Sequence, residues 1–250
     1  MSSLARRFVE RTPMCYQLAD GYRRWLAFRG DHNARYDLLT IGIMRRILRK
    51  DSNCVDVGAS SGTLLYHMVR LAPLGRHMAF EPLPEYYRLL RRKFANKNVA
   101  VSDLALSDSA GVSEFNHVVN RPGYSGLRER SYVRLRDPAI EKMAVRTERL
   151  DGIYPEGADL GFLKIDVEGG EYGVIKGAAR TIRRGGPTVV FEFGMGGADC
   201  YGVTPPMMYS LLRACGLRVS TLQGYPDSSL SGEEFADRYN TTDFMFAGFP

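Results

Sequence analysis

The chain has 250 residues, of which 44% are hydrophobic and 25% charged, a composition that suits one sizeable α/β domain with a buried core. Its formal net charge is +6 at pH 7, but the basic residues form no single tract, so no nucleic-acid partner is expected. Cys15, Cys54, Cys200 and Cys215 form no C-x-x-C pair, which argues against a zinc centre and favours a reducing, cytoplasmic compartment. No apolar run approaches the roughly 18 residues of a transmembrane helix.

Residues 1–50 carry apolar side chains at helical spacing, for example Leu18, Tyr22 and Trp25 and later Ile41 and Met44. This spacing predicts two or three helices that form an extension or cap ahead of a main domain of residues 51–250. The arginines of this extension leave a peripheral contact with a membrane surface open, although a plain packing role is the simpler interpretation.

Short apolar segments alternate with helical segments from residue 53 onward. The predicted strands cover residues 53–57, 76–80, 99–106, 144–150, 160–167 and 188–193, and the predicted helices cover 63–71, 85–96, 171–184 and 205–215. Residues 112–119 are predicted to pair with the third strand as a hairpin. This alternation favours a mostly parallel sheet with helices on both faces, because parallel neighbours need long crossovers.

Two segments depart from the regular alternation. Residues 120–143 are rich in Arg, Pro, Gly and Tyr, and an irregular stretch of this length predicts a lid or substrate loop. Residues 217–222 and 243–249 are predicted to be the last two strands, with only a weak helical signal between them. An antiparallel pairing is therefore expected at the end of the sheet.

The turn after the first predicted strand reads Asp56-Val57-Gly58-Ala59-Ser60-Ser61-Gly62. Small residues let the backbone approach a ligand, and the N-terminus of the next helix attracts a negative group. The second predicted strand ends at Glu81-Pro82, where a carboxylate could accept both hydroxyls of a ribose. A tight turn and a solvated acid would give the same residues, but their spacing favours an adenosine ligand, and NAD would satisfy it as well.

Four blocks together resemble the FkbM family of S-adenosylmethionine (SAM)-dependent methyltransferases. They are Asp56–Gly62, Ala79–Pro82, Leu104–Asp108, and Phe162–Gly169 followed by Glu171. The resemblance covers residues 53–193 and departs at Ser60-Ser61, where the family more often has an Asn-Ile-like pair that contacts the methionine tail. It implies a Rossmann-like class I methyltransferase: a mostly parallel seven-stranded sheet with an antiparallel last strand. The implied activity is O-methylation of a hydroxyl on a natural product, sugar or glycan.

With SAM as the ligand, Asp56 is expected to face its ammonium, the turn its carboxylate and Glu81 its ribose. The end of the third strand is expected to contact the adenine. The cofactor-binding candidates are therefore Asp56, Gly58, Ala59, Ser60, Gly62, Glu81, Pro82, Leu104 and Ala105.

Methyl transfer to a hydroxyl requires a group that takes the hydroxyl proton. Asp166 ends a buried strand, Glu168 lies two residues on, and Glu192 ends the next strand, so the three acids are expected at one rim. They could act as a base, bind sugar hydroxyls or hold a divalent cation, the last through Asp166 and Glu192. Glu168 could instead cap the following helix, Glu192 could mark an exposed strand end, and His117 is an alternative base.

Two other functions remain open at this point. One is an NAD-dependent oxidoreductase on a similar sheet, and the other is a non-catalytic adenosine- or RNA-binding protein. RNA binding requires aromatic side chains interleaved with lysine and arginine, whereas the aromatic residues here follow core periodicity. The expected partner is a small-molecule or carbohydrate hydroxyl acceptor.

Overall fold

The structure is a computed structural model that describes residues 13–130, 137–239 and 244–250, with side chains described from residue 20. Two helices precede the sheet, α1 (Pro13–Phe28) and α2 (His32–Ile47). Asp31 begins α2 as its N-cap, because its side chain accepts the Ala34 N–H at 2.8 Å. None of the described helices is both long enough and apolar enough to cross a membrane.

The later elements alternate much as the sequence predicts. In chain order they are β1 Cys54–Val57, α3 Thr63–Leu71, β2 His77–Phe80, α4 Pro84–Lys93, β3 Val99–Ser102, β4 Ala105–Leu106, β5 Gly111–Val118, β6 Ile140–Glu148, α5 Leu150–Ile153, β7 Phe162–Ile165, α6 Glu171–Gly177, α7 Ala179–Gly185, β8 Thr188–Glu192, α8 Pro205–Ala214, β9 Arg218–Thr221, α9 Gly232–Tyr239 and β10 Met245–Phe249. Two 3₁₀ turns, Pro122–Tyr124 and Ala198–Tyr201, lie in the connections.

Seven strands form the main sheet in the order β3-β2-β1-β7-β8-β10-β9. The pairs β3–β2, β2–β1, β1–β7 and β7–β8 are parallel, whereas β10 runs antiparallel to both β8 and β9. The expected mostly parallel seven-stranded sheet with an antiparallel last strand is confirmed. Its strand order reverses between β1 and β7, and ligands of such sheets bind at the carboxyl ends of the strands beside this point.

Apolar side chains cover both faces of the sheet because successive residues of a strand point to opposite faces. Val55 and Leu163 pack in a cluster that includes Val174 and Ile175 of α6. Their neighbours Cys54 and Phe162 pack in a second cluster, with side chains of α2 and α3 such as Met44 and Leu65. The expected helices on both faces are therefore confirmed, and α2 belongs to the core that supports β1.

The chain leaves the main sheet earlier than predicted after β3. The predicted third strand of residues 99–106 is wrong in its second half, because β4 pairs with β6 in a separate sheet of order β4-β6-β5. The predicted hairpin of 112–119 with the third strand is also wrong, because β5 pairs antiparallel with β6. Between the two sheets, exposed Asp103 forms an ion pair with Arg146 of β6 at 2.8 Å.

Two predicted segments are divided. Part of the expected loop 120–143 is regular, since β6 begins at Ile140, and residues 131–136 lie outside the described residues. The predicted helix 171–184 is two helices that meet at Ala178. There, a Cβ on Gly177 would lie 2.1 Å from the Ser107 carbonyl oxygen, so this close approach requires glycine.

Of the glycines in the β1 turn, Gly58 has the least room for a side chain. Its φ is +72°, and a Cβ there would lie 1.9 Å from the Asp166 carbonyl oxygen at the end of β7. The contact brings the β1 turn directly against the end of β7.

Gly58→Ala is expected to lower the free energy of unfolding by at least ~2 kcal/mol more than Gly202→Ala does. Both variants carry the positive-φ penalty of about 1–2 kcal/mol, and Gly58→Ala adds a backbone clash. Gly202 is a matched control, with φ +70° and no atom within 4 Å of its added Cβ. Urea unfolding followed by circular dichroism measures both variants. Equal losses would show that the β1 turn and β7 can separate freely.

Candidate active site

A cavity of about 1010 Å³ lies at the carboxyl ends of the parallel strands. It is lined by Gly58 and Ser60 after β1, Glu81 after β2, Asp166 after β7 and Glu192 at the end of β8. The sheet topology therefore brings together residues that are up to 134 positions apart in the sequence. These are the carboxyl strand ends on either side of the point where the strand order reverses.

Glu81 is a buried carboxylate in the cavity wall, with 5% of its surface exposed. Its Oε2 accepts the Ser60 N–H at 2.8 Å and its Oε1 accepts the Leu83 N–H at 3.0 Å. Burial raises the pKa of Glu81 to about 7, against the opposing effect of these two hydrogen bonds. A carboxylate offers about four lone-pair sites, so Glu81 retains capacity for two further donors.

Side chains beside Glu81 provide an apolar wall. Pro82, Leu104 and Ala105 all line the cavity, together with Tyr86 and Phe115. The expected contact of Leu104 and Ala105 with a planar base thus has the required location, although Ala105 reaches it from the second sheet.

The β1 turn itself is held by internal hydrogen bonds. The N–H groups of Gly58 and Ala59 donate to the Phe80 carbonyl at 2.9 and 3.1 Å, and that of Gly62 donates to Ala59 at 2.8 Å. These three N–H groups are therefore engaged within the protein, and the expected binding of a ligand carboxylate at the helix N-terminus stays a prediction. Ala59 and Gly62 are also absent from the cavity wall formed by the described residues. Gly62 serves packing, since a Cβ there would lie 2.6 Å from the Leu90 side chain.

Asp56 holds a lysine that sequence reasoning missed. Asp56 is 1% exposed and is not among the described residues that line the cavity. Its Oδ1 lies 3.5 Å from Lys164 Nζ, which is also 3.5 Å from Asp166 Oδ2 and donates to the Gly58 carbonyl at 2.8 Å. Asp56 thus pairs with Lys164 beneath the turn, and its expected contact with a ligand ammonium stays a prediction.

The environment of Lys164 keeps it charged. Burial alone would lower the pKa of Lys164, but Asp166 and Asp56 outweigh burial and raise it. Burial raises the pKa of Asp56, and Lys164 opposes that rise. Lys164 could have been found from the sequence, since a lysine in the buried strand Phe162–Ile165 requires acidic partners.

Asp166, Glu168 and Glu192 meet at one rim of the cavity, as the sequence predicts. Each offers a carboxylate oxygen within 4.8 Å of the other two. Burial, and then repulsion by Asp166 and Glu171, raises the pKa of Glu192 well above its usual range. The charged form of Glu192 is therefore disfavoured, and a protonated Glu192 can donate in the hydrogen bond that it shares with Asp166.

Glu171, rather than Glu168, holds the turn before α6, and no described side chain caps this helix. Glu171 Oε1 accepts the N–H groups of Val167 and Gly169 at 2.8 and 3.2 Å, and burial raises its pKa to about 7. Glu168 has φ +60° and forms an ion pair with Arg130. Glu168 is thus directed to the rim, where its charge is balanced by Arg130.

Arg130 brings the predicted substrate loop to this rim. Its guanidinium lies 5.2 Å from the centre of the Tyr124 ring, and both side chains line the cavity with Leu127. The three rim acids offer oxygen ligands to a divalent cation, but such an ion would compete with Arg130 for Glu168. The described residues thus favour a rim that binds protons and hydrogen-bond donors.

His117 is not brought to the acids. It lies on β5 opposite Glu141 of β6 and is not among the described cavity-lining residues. The structure thus removes the geometric support for His117 as an alternative base.

The cavity is acidic although the chain as a whole is basic. The charged side chains among its described lining residues are seven acids and two bases: Asp31, Asp37, Glu81, Asp166, Glu168, Glu192 and Asp199, with Arg130 and Lys164. Even with Glu192 protonated, this surplus attracts a cationic ligand and disfavours an anionic one.

The N-terminal extension supplies a wall that sequence reasoning missed. Asp31, His32, Asn33, Tyr36, Asp37 and Thr40 all line the cavity. A sequence signal existed, because positions 33, 37 and 40 follow helical spacing and place polar side chains on one face of α2. Nothing in the sequence showed that this face meets the carboxyl ends of the strands.

Comparison with known proteins gives one consistent result. The family model described as "Methyltransferase FkbM domain" matches residues 56–219. The chain is 32% identical to "Methyltransferase sdnD" of Sordaria araneosa over 152 residues, which are 49% of this chain and 59% of that protein. The chain therefore spans less than two thirds of the curated relative that it matches.

Two solved structures illustrate the similarity in fold. The crystal structure of methyltransferase FkbM from Methylobacillus flagellatus is 16% identical, with a TM-score of 0.49, over 81% of this chain and 45% of that one. A SAM-dependent O-methyltransferase from Thermotoga maritima is 14% identical, with a TM-score of 0.43, over 84% and 63%.

Lys164→Met is expected to lower the free energy of unfolding by about 3–5 kcal/mol, because it leaves Asp56 and Asp166 without their buried cation. Lys142→Met is the matched control: Lys142 pairs with Glu114 at 2.8 Å on the surface, with 62% of its side chain exposed, so a much smaller loss is expected. Chemical denaturation measures both. Similar small losses would show that Lys164 does not hold β1 and β7 together.

Proposed function

Because the chain belongs to the FkbM family of methyltransferases, we propose that it is a SAM-dependent O-methyltransferase acting on a hydroxyl of a natural product, sugar or glycan. The observation that carries this proposal is the Glu81 carboxylate, which lines the cavity beside the β1 turn and keeps two lone-pair sites. Bound SAM supplies a methyl group already activated by its positive sulfonium.

The charge of the cavity supports SAM over NAD. SAM carries a sulfonium, an ammonium and one carboxylate, so its net charge is positive, whereas the pyrophosphate of NAD is negative. A cavity with seven acids and two bases among its described lining residues favours the former. The same surplus disfavours a strongly anionic acceptor and the RNA-binding alternative.

In this proposal, Glu81 accepts the hydroxyls of the cofactor's ribose. Pro82, Leu104 and Ala105 contact the adenine from the apolar wall, and Gly58 and Ser60 approach the rest of the cofactor. The hydrogen bonds from Ser60 and Leu83 fix the Glu81 carboxylate before ligand binding, so little ordering is required when the ribose enters.

Asp166 is the proposed base. Its side chain is 39% exposed, against 18% for Glu168, so an acceptor hydroxyl can reach it. A carboxylate oxygen of Asp166 takes the hydroxyl proton as the hydroxyl oxygen gains its methyl group. Lys164 and Glu192 orient Asp166 from the protein side, and Glu168 with Arg130 contacts other hydroxyls of the acceptor.

The acceptor side of the cavity suits a neutral, hydroxyl-bearing ligand. Carboxylates at the rim accept hydroxyl hydrogens, and Tyr124, Leu127 and Tyr201 offer apolar and aromatic surface. We therefore assign residues 120–143 to the acceptor and residues 51–250 to the SAM-binding domain, with residues 1–50 as its helical extension. Cys54, Cys200 and Cys215 are free, which supports a reducing, cytoplasmic compartment.

Glu81→Gln is expected to weaken binding of S-adenosylhomocysteine at least about tenfold, because charged hydrogen bonds to the ribose are worth about 1.5–3 kcal/mol. Isothermal titration calorimetry measures the dissociation constant. Glu85→Gln is the control, since Glu85 is exposed on α4 and outside the described cavity wall. Unchanged affinity of Glu81→Gln would contradict the proposed ribose contact.

The affinity of the wild-type protein for S-adenosylhomocysteine should also decrease as the pH is lowered. The pKa of Glu81 is raised to about 7, so Glu81 becomes protonated as the pH falls through 7 and loses its acceptor capacity. Affinity should therefore decrease below pH 7, and the decrease should be smaller in Glu81→Gln.

Asp166→Asn is expected to bind S-adenosylhomocysteine within about threefold of wild type and to lose at least ~100-fold in turnover, as expected for a general base. Turnover is measured with an acceptor found by screening neutral polyhydroxylated compounds against radiolabelled SAM. Asp199→Asn is the control, because Asp199 lines the cavity but its Oδ1 accepts the Gly196 N–H at 2.6 Å. Full turnover by Asp166→Asn would assign the base elsewhere.

A further inference from the structure

One face of α2 lines the cavity with polar side chains that lie outside the part of the chain matched by the family. Asn33, Asp37 and Thr40 contribute to this face, and the family match begins at residue 56. The apolar side of α2, which includes Ile41 and Met44, packs against the sheet and fixes the helix in place. These polar side chains are therefore presented by a rigid element.

Asp37 is an anion near the β1 turn. Its Oδ2 accepts Arg23 Nε at 2.8 Å, and 34% of its side chain stays exposed. The Asp37 carboxylate interacts electrostatically with Lys164 and with Asp166. Lys164 is the lysine that donates to the Gly58 carbonyl, so Asp37 lies near the β1 turn. Burial raises the pKa of Asp37, and Arg23 and Lys164 oppose this rise, so a further cation would favour its charged form.

Thr40 has a buried hydroxyl that the protein does not satisfy. Thr40 is 1% exposed and lines the cavity, and its Oγ1 has no hydrogen-bond partner in the described part of the chain. A buried polar group without a partner costs about 1–3 kcal/mol. Such a cost is offset where a ligand supplies the missing partner.

Several sequence-based candidates for the amino acid end of the cofactor are engaged within the protein. Asp56 lies beneath the turn with Lys164, and the N–H groups of Gly58, Ala59 and Gly62 donate within the protein. An α-amino acid has one cationic and one anionic group close together. On α2 a carboxylate and a free hydroxyl donor lie three residues apart, so they share one face of the helix.

We propose that Asp37 and Thr40 bind the amino acid tail of SAM: the Asp37 carboxylate accepts from the ammonium, and the Thr40 hydroxyl donates to the carboxylate. This inference rests on the proposed function. It makes the N-terminal extension part of the cofactor site.

The test compares two ligands that differ only in the tail. S-adenosylhomocysteine carries the amino acid, whereas 5′-methylthioadenosine has a methyl group in its place. Calorimetry on the full chain gives the dissociation constants of both for wild type, Asp37→Asn and Thr40→Val. Asp37→Asn should weaken binding of S-adenosylhomocysteine at least about tenfold, and Thr40→Val should weaken it about threefold or more. Both variants should bind 5′-methylthioadenosine within about twofold of wild type.

Two control variants separate binding from structure. Asp20→Asn removes the other partner of Arg23, at 2.8 Å, without altering the cavity wall, and should leave both affinities unchanged. Thr40→Ser keeps the hydroxyl and should bind S-adenosylhomocysteine like wild type. Thr40→Val should unfold at the same or higher urea concentration than wild type without ligand, because it removes an unsatisfied polar atom, yet gain less stability from S-adenosylhomocysteine.

The outcomes distinguish the two proposals. If the wild type binds both ligands and the Asp37→Asn and Thr40→Val variants weaken both equally or neither, the tail contact is overturned and the proposed function stands. If the wild type binds neither ligand, the proposed function fails and this inference fails with it. Selective loss of the tail-bearing ligand in both variants supports the inference, and Thr40→Val tests it even if Asp37→Asn does not fold.

Discussion

The site depends on one buried cation at the point where the strand order reverses. Lys164 of β7 lies between Asp56 of β1 and Asp166 at the end of its own strand, and it donates to the Gly58 carbonyl. A buried charge is tolerated only with such partners. Lys164 thereby ties the β1 turn to the end of β7 and orients Asp166, so the same interaction supports the proposed cofactor site and the proposed base.

Around this cation the protein concentrates carboxylates in a small volume. Glu81, Glu171 and Glu192 all have raised pKa values because burial disfavours their charged forms. Backbone N–H groups donate to Glu81 and to Glu171, whereas Glu192 shares a hydrogen bond with Asp166. The described wall of the cavity carries more acids than bases although the chain is basic, which favours a cationic ligand over an anionic one.

The N-terminal helix α2 forms part of the cavity wall. α2 packs its apolar side on the sheet and presents Asp37 and Thr40 to the cavity. Arg130 pairs with Glu168 and brings the region before residue 131 to the acid rim. Segments at the periphery of the parallel sheet thereby contribute side chains to the cavity wall.

The sequence by itself determined the α/β alternation, the antiparallel end of the sheet, the family, and the meeting of Asp166, Glu168 and Glu192, because parallel strands place their carboxyl ends at one edge. Only the tertiary structure decided that Asp56 serves Lys164, that His117 lies apart on β5, and that Asp37 and Thr40 reach the cavity. The reason is physical: hydrophobic periodicity reports which face of an element is buried. Which charged groups become neighbours depends on how separate elements pack, and no local pattern contains that information.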